Sequence, residues 1–148
     1  ANGHVDVVRM LVERGADINK ARNSGCTPLW IASQNGHVDV VRMLVEQGAD
    51  IDKAHDDGCT PLWIASQKGH VEVARMLVEQ GADIDKAHDD GCTPLWVASQ
   101  NGHMEVARML VEQGADFKKT RNGVTALQIA TRKSHTEIIH LLELAAQV

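Results

Sequence analysis

The chain has 148 residues, the length of one ordinary domain, and its aromatic residues are only three Trp and one Phe. So few rings disfavour a stacking surface for single-stranded nucleic acid, and the net charge of −5 disfavours a duplex-DNA binder. No apolar run approaches the roughly 18 residues of a membrane span. Because aromatic residues are so few, the core must be built from aliphatic side chains, which suits closely packed helices.

The first 25 residues predict one helix. In the repeat units described below, this helix is the second of a pair, and here the first helix of the pair is missing. Residues 2–5 match residues 35–38 of the following unit, and six of the eight residues from Val5 to Val12 are apolar. We expect exposed apolar surface at this end, with fraying of the helix, self-association through the uncapped end, or further units upstream. The chain does not begin with Met, which indicates a fragment or a processed product.

A block that begins Cys-Thr-Pro-Leu-Trp starts at Cys26, Cys59 and Cys92, with a step of 33 residues. Residues 26–58 and 59–91 differ at only three positions, and a degenerate copy begins at Val124. The spacing predicts one domain over 1–148, with a partial N-terminal unit (1–25), three full units (26–58, 59–91 and 92–123) and a C-terminal capping unit (124–148). The outward polar residues of the last unit, among them Arg132 and Lys133, suit a cap.

Each full unit predicts two helices and a hairpin. Thr27 is a good N-cap and Pro28 a good first helical residue, and Gly36 ends this short helix. The second helix is predicted over 37–47, and Asp57-Gly58 marks a hairpin-type turn. Because no single unit can bury its apolar face, the units are expected to stack into a solenoid.

Three full-strength copies with Thr-Pro-Leu, Gly-His and Gly-Ala-Asp at fixed spacing resemble the ankyrin repeat over nearly the whole chain. The resemblance implies an all-α solenoid of stacked helix-turn-helix units with β-hairpin-like loops, and a non-catalytic role in binding a protein or peptide. It also implies contacts through the turn tips, here Asn23, Ser24, Asp56, Asp57, Asp89 and Asp90. The implied contacts on the first-helix ends are Gln34, Asn35, Gln67, Lys68, Gln100 and Asn101.

One departure from the ankyrin pattern concerns the residue after Thr-Pro-Leu, which is usually His. Here Trp30, Trp63 and Trp96 take its place, and an indole N–H can donate a hydrogen bond but not accept one. Either each ring packs between units and bridges part of the polar contact, or the three rings form a partly exposed ladder of binding hot spots.

The charge distribution points to the kind of partner. Residues 26–58 carry two basic and six acidic residues, whereas residues 117–148 carry five basic and two acidic ones. Repetition predicts that the turn acids line up, forming either a solvated surface that aids solubility or a groove that selects a basic peptide or patch. Acidic charge of this kind acts on association rate and selectivity more than on affinity.

No cofactor, metal site or catalytic constellation is predicted. The three Cys lack the close pairs of a zinc site and lie too far apart for disulfides, so free thiols in an intracellular, cytoplasmic location are expected. The Gly-His histidines are expected to be structural, and His55 and His88 beside the Asp pairs form only a loose cluster. Two rival functions stay open: a spacer or self-assembling array without a specific ligand, and a targeting module of a larger enzyme.

Overall fold

The computed structural model describes the backbone of residues 2–148 and the side chains of residues 5–148. Within that range there are nine helices and one two-stranded sheet. The helices are α1 (Asn2–Glu13), α2 (Pro28–Gln34), α3 (Val38–Glu46), α4 (Pro61–Lys68), α5 (Val71–Glu79), α6 (Pro94–Asn101), α7 (Met104–Glu112), α8 (Ala126–Arg132) and α9 (Thr136–Ala145). The strands are β1 (Thr120–Arg121) and β2 (Val124–Thr125), which pair antiparallel. None of the helices in this range combines the length and apolar character needed to cross a bilayer.

The short first helices begin as their sequence predicts. The Thr27 hydroxyl accepts a hydrogen bond from the Trp30 backbone N–H at 3.2 Å, and Thr60, Thr93 and Thr125 cap α4, α6 and α8 in the same way. Proline follows the cap of α2, α4 and α6, where a missing N–H costs nothing. The predicted N-caps are therefore confirmed.

The second helices bury one face and leave the other in water. In α3 the side chains of Val41 and Leu44 are buried, whereas Asp39 and Arg42 are exposed and lie 3.6 Å apart across one helical turn. The helix is one residue shorter at each end than the predicted span of 37–47. Gly48 follows with a φ of +89°, the left-handed conformation that ends helices.

The helices form two layers. The first helices α2, α4, α6 and α8 stack side by side, and each packs on the second helix of its own unit. Aliphatic side chains fill the space between the layers, with Leu29, Leu62 and Leu95 facing the second-helix core. A separate cluster lies toward the turns and contains the three Trp side chains, Cys59 and Cys92. This cluster places the Trp residues next to the predicted binding surface.

The loops after the second helices are also joined across the units. The Asn19 side chain accepts from the Asp50 backbone N–H at 2.8 Å, and the Asp85 carboxylate accepts from Asp116 N–H at 3.0 Å. In the unit between these two, the Asp52 carboxylate accepts the equivalent hydrogen bond from Asp83 N–H at 3.2 Å. Burial raises the pKa of this carboxyl. Each unit thus fixes the loop of the next one.

The two ends of the stack differ in polarity. At the N-terminal end Val7, Met10 and Leu11 are 52%, 42% and 49% exposed, which confirms the expected apolar surface. At the C-terminal end the outward side chains are mostly polar, as expected of a cap, and Leu144 is an apolar exception. The exposed polar residues there are Arg132, Lys133, Glu137, His140 and Glu143.

Candidate functional site

The predicted turn-tip residues lie on three neighbouring turns that are joined by backbone hydrogen bonds. Asp56 N–H donates to the Ser24 carbonyl at 3.2 Å, and Asp89 N–H donates to the Asp57 carbonyl at 3.0 Å. Both bonds cross from one unit to the next. The tips therefore form one continuous edge along the stack.

Each acidic turn has the same local construction. In the turn of residues 55–59, His55 N–H donates to the Cys59 carbonyl and Gly58 N–H donates to the His55 carbonyl, both at 2.9 Å. The Asp57 carboxylate accepts from Cys59 N–H at 3.0 Å. Asp side chains commonly hold a turn by bonding backbone two residues ahead. Asp57 is therefore part of the turn as well as part of the surface.

A chain of alternating basic and acidic side chains links these turns, and we call His55, Asp57, His88, Asp90 and Arg121 the turn network. The Asp57 carboxylate lies 2.9 Å from His55 Nδ1 and 3.4 Å from His88 Nε2. The Asp90 carboxylate lies 3.1 Å from His88 Nδ1 and 2.5 Å from the Arg121 guanidinium. A ladder of four equivalent acids was expected, but Asp57 and Asp90 are paired within the protein.

The three Trp rings lie beneath this network. Trp30 stacks on His55 with ring centroids 5.3 Å apart, and the Arg121 guanidinium lies 5.0 Å from the Trp96 ring. Trp63 and His88 make the equivalent contact in the middle unit. All three rings are buried, with at most 8% exposed.

The indole N–H of each Trp reaches the next unit. The acceptors are the carbonyls of Cys59, Cys92 and Val124, at 2.9, 2.8 and 2.9 Å from the nitrogens of Trp30, Trp63 and Trp96. The alternative of a partly exposed ladder of hot spots is therefore wrong. The side chains of His55, His88 and Arg121 and the following turn cover the rings, which join neighbouring units.

Burial and hydrogen bonding change the acidity of groups in the turns. Burial alone raises the pKa of Asp57, but the Cys59 N–H bond and the contacts with His55 and His88 outweigh it and bring the pKa below its usual 3.8. The pKa of Asp90 is lowered for similar reasons, by the Cys92 N–H bond and by its neighbours Arg121 and His88. Both carboxylates are therefore held in the charged form.

The cysteines near the turns are free thiols. Burial raises the pKa of Cys59 to about 12 and that of Cys92 to about 11. A thiol with so high a pKa is a poor nucleophile near neutral pH, because the thiolate is the reactive form. Cys26 is half-buried, and its sulfur lies 3.2 Å from the Ser24 hydroxyl.

Replacement of Asp57 by Asn tests the charge of the turn network. The change keeps an oxygen for Cys59 N–H but removes the negative charge between His55 and His88. Because the folded pKa of Asp57 is depressed, its stabilisation is present above the unfolded value of 3.8 and is lost as pH falls through the folded pKa. We expect Asp57→Asn to lower the free energy of unfolding by about 1 kcal/mol or less at pH about 6, since this half-exposed site is screened.

Urea unfolding at several pH values measures this difference, which is expected to vanish in acid. The control is Asp56→Asn, which removes the same charge from the same turn outside the network, and its effect is expected to stay within about 0.5 kcal/mol. A difference for Asp57→Asn that persists below the folded pKa would rule out the electrostatic explanation.

The first-helix ends form a second row beside the turns. The Gln34, Gln67 and Gln100 backbone carbonyls accept from the Nε2 atoms of His70, His103 and His135 in the following unit, at 2.9, 2.8 and 3.0 Å. These bonds agree with the structural role expected of the Gly-His histidines. We call Gln34, Asn35, Gln67, Lys68, Gln100 and Asn101 the helix-end row.

The side chains of the helix-end row differ in exposure. Asn35, Lys68 and Asn101 are exposed, and the three Gln residues are half-buried. Asn101 also donates to the Gln67 carbonyl at 3.3 Å. Lys68 interrupts an otherwise neutral row of amide side chains. The row can therefore offer hydrogen-bond donors and acceptors and one positive charge.

Two acids remain available at the tips, and we call Asp56 and Asp89 the tip pair. Both are exposed and lie outside the turn network. A Cβ atom added to Gly25 would lie 2.6 Å from Asp56 Oδ1, which shows how closely the carboxylate sits over the preceding turn. Asp89 lies in the same way against Gly58. The tip pair is thus a repeated, positioned pair of charges.

Sequence reasoning missed Arg121 as a member of the site. Its position is 33 residues after His88, as His88 is 33 after His55, so the repeat register carried the signal. All three side chains contact a Trp ring and a turn carboxylate. The register therefore identifies Arg121 as the replacement of His in the last turn.

Comparison with protein families agrees with this geometry. The model described as "Ankyrin repeats (3 copies)" matches residues 1–88 and 81–148. A search of curated proteins finds no match to the chain. Proteins with these repeats are generally non-catalytic modules of protein–protein interaction. The helix pairs, the turns and the family match together show that the chain belongs to the ankyrin repeat family.

Proposed function

We propose that this chain binds a basic peptide or a basic patch of a partner protein along the turn tips and the helix-end row. The observation that supports this most directly is the exposure of the tip pair at equivalent positions of neighbouring units. The other two turn acids, Asp57 and Asp90, serve mainly to hold the turns and the Trp stack. We also propose a reducing intracellular location, because the cysteines are free thiols.

The stack itself sets the spacing that a ligand must match. Packed helices lie about 8–10 Å apart, so the carboxylates of Asp56 and Asp89 are separated by about that distance. A peptide in the polyproline II conformation advances about 3.1 Å per residue and has three residues per turn, so every third side chain lies on the same side. A ligand with Lys or Arg three residues apart in such a segment therefore matches both charges. The amides of the helix-end row can bond the backbone of such a segment.

Binding of the labelled chain to an array of random-sequence peptides tests the proposal. We expect enrichment of Lys and Arg, with a preferred separation of three residues, and binding that weakens as salt rises. The variant Asp56→Ser with Asp89→Ser is expected to lose this enrichment and most of the salt dependence. Asp39→Ser with Glu72→Ser removes the same charge from exposed positions on the second helices and is the matched control.

The two variants separate local recognition from net charge. Equal losses in both would show that only the total charge of the chain matters. Unchanged binding in the tip-pair variant would contradict the acidic-groove proposal. Asp57 and Asp90 are kept in both variants, so that the turn network stays intact and a loss of binding is not caused by unfolding of the turns.

A second candidate function is self-association through the N-terminal end. The observation that favours it is the exposure of Val7, Met10 and Leu11 on one helix. Large apolar side chains grouped on a surface mark interaction sites more often than isolated ones do. Light scattering over a range of protein concentrations tests it, and an unchanging monomer mass would contradict it.

A further inference from the structure

The turns and first helices of the stack change charge along its length. We call residues 51–71, 84–104 and 117–136 the front segments of α4, α6 and α8, because each contains one turn and the first helix that follows it. The first two carry three acidic residues each, with two and one basic residues, respectively. The third carries five basic residues and no acidic one. The front of the stack is therefore acidic beside α4 and α6 and basic beside α8.

Two of these five bases lie at the end of α8 and continue the helix-end row. Arg132 is the last residue of α8 and Lys133 is its C-cap. The register of the last unit places them at the positions that Gln100 and Asn101 take in the unit before. The backbone agrees, since Lys133 has a φ of −93° and a ψ of −2°, against −90° and −3° for Asn35, the C-cap of α2. We call Arg132 and Lys133 the cationic end of the row.

The cationic end is open to a ligand. Both of its side chains are exposed, and among residues 5–148 neither forms an ion pair with a carboxylate. Asn35 and Asn101 are exposed at the position of Lys133 although a further unit packs beside each of them. The exposure of Lys133 therefore belongs to its place in the row and does not depend on its being in the last unit.

The other bases near the row are balanced or lie elsewhere. Arg121 is paired with Asp90 in the turn network, and Lys118 and Lys119 lie in the loop between α7 and β1. Lys68 belongs to a front segment that also carries three acids. A base at the C-terminal end of a helix is favourable in itself, but α2 and α6 end in neutral amides at the same positions. Helix stability alone therefore does not account for two charges at the end of α8.

We propose that the partner segment carries an acidic side chain on one side of its two basic residues, and that this acidic side chain binds the cationic end. This rests on the proposed function and adds the direction in which the ligand lies. The basic residues bind the tip pair beside α4 and α6, and the acidic residue lies beside α8, the next helix of the stack. A ligand in the reverse direction would place its acid beside α2, where Gln34 and Asn35 offer no charge.

The geometry of the stack predicts where the acidic residue falls in the ligand. Along the stack, the cationic end lies one helix spacing, about 8–10 Å, beyond Asp89. Across the stack, the turns precede the first helices and the row follows them, and eight helical residues separate the two by about 12 Å. In a polyproline II segment every third side chain points to the same side. The acid is therefore expected about two or four residues beyond the second basic residue, because the third would point to the turns again.

The array of random-sequence peptides, probed with the labelled chain, tests this. Among bound peptides with two basic residues three apart, we expect Asp or Glu to be enriched on one side of the pair only. Arg132→Gln with Lys133→Asn gives α8 the residues that end α6, and is expected to lose the acidic preference but keep the basic one. Its affinity for a peptide with the acid is expected to fall about two- to fivefold at low salt, as for an exposed charge pair. Lys118→Gln with Lys119→Asn removes the same charge from the same front segment and is expected to change neither preference.

Moving the charge to the other end of the row tests the direction itself. Asn35→Lys, added to Arg132→Gln with Lys133→Asn, places a base beside α2 and leaves none beside α8 in the row. We expect the acidic preference to return on the opposite side of the basic pair. If circular dichroism shows that the combined variant is unfolded, Asn35→Lys alone replaces it and is expected to give an acidic preference on both sides.

The outcomes separate the direction of the ligand from the binding of its basic residues. An acidic preference that is equal on both sides in the unchanged chain, or that survives Arg132→Gln with Lys133→Asn, would overturn the role of the cationic end alone. Equal losses in that variant and in the Lys118 and Lys119 variant would also overturn it, because only total charge would matter. If the unchanged chain shows no preference for Lys and Arg, the proposed function fails, and this inference fails with it.

Discussion

Replacement of Trp63 by Ala is expected to lower the free energy of unfolding by about 3–5 kcal/mol, the range for loss of a large buried aromatic side chain. Trp63 packs in the cluster that also contains Trp30 and Trp96, and its ring lies 5.2 Å from that of His88. Its indole N–H donates to the Cys92 carbonyl of the next unit. The change therefore weakens contacts on both sides of the central unit.

Urea unfolding followed by circular dichroism measures this loss. In a stack of repeats, stability is the sum of the units and their interfaces, so weakening of the central unit is also expected to broaden the transition. Trp63→Phe separates the two contributions of the ring. It keeps most of the apolar surface but removes one of the two hydrogen bonds to the Cys92 carbonyl, which still accepts from His88 N–H at 2.9 Å, so the expected cost is about 0.5–1.5 kcal/mol.

The last unit supplies the control for Trp63. Gln128 occupies the equivalent position, is exposed, and bonds the Thr125 backbone N–H at 2.9 Å as part of a capping box. Gln128→Ala is expected to cost about 1 kcal/mol or less, the usual effect of a lost cap. If Trp63→Ala costs no more than Gln128→Ala, the Trp rings do not hold the units together.

The elements that sequence predicted correctly depend on residues close together in the chain. Thr27 caps α2 because its hydroxyl reaches a backbone N–H three residues away, and Gly48 follows α3 because it accepts a positive φ. The stacking of units follows from the same local pattern, since one amphipathic helix pair cannot bury its own apolar face. Chemistry within a few residues was enough to predict all of these.

The contacts that sequence did not decide join residues about thirty positions apart. The Trp30 N–H finds the Cys59 carbonyl 29 residues on, and Asp57 finds His88 31 residues on. The sequence leaves open whether the Trp rings pack between units or are partly exposed. The position of the next turn decides whether its carbonyl lies within hydrogen-bond distance of the indole N–H. The same separation in sequence made the contacts of Asp57 with His88 and of Asp90 with Arg121 unpredictable. These contacts leave only the tip pair of the four predicted surface acids unpaired within the turns.

Replacement of Gly69 by Ala is expected to cost about 2–4 kcal/mol, for two separate physical reasons. Gly69 ends α4 with a φ of +79°, a conformation that costs other L-residues roughly 1–2 kcal/mol. An added Cβ would also lie 2.6 Å from His103 Nδ1. The ring would have to move away from the Gln67 carbonyl that it bonds at 2.8 Å, which adds the cost of a lost inter-unit hydrogen bond.

Gly81→Ala, measured by the same urea unfolding, is the control that separates the clash with His103 from backbone strain. Gly81 lies in the same unit with a φ of +99° and has no atom within 4 Å of an added Cβ, so its replacement tests backbone strain without a clash. Gly69→Ala is expected to exceed it by at least about 1 kcal/mol. In the last unit Ser134 takes the equivalent position with a φ of +61°, so a residue other than Gly adopts this backbone conformation within the same chain. Equal costs at Gly69 and Gly81 would show that His103 adjusts freely, and that the repeated Gly-His pairs serve helix ends alone and not the joining of units.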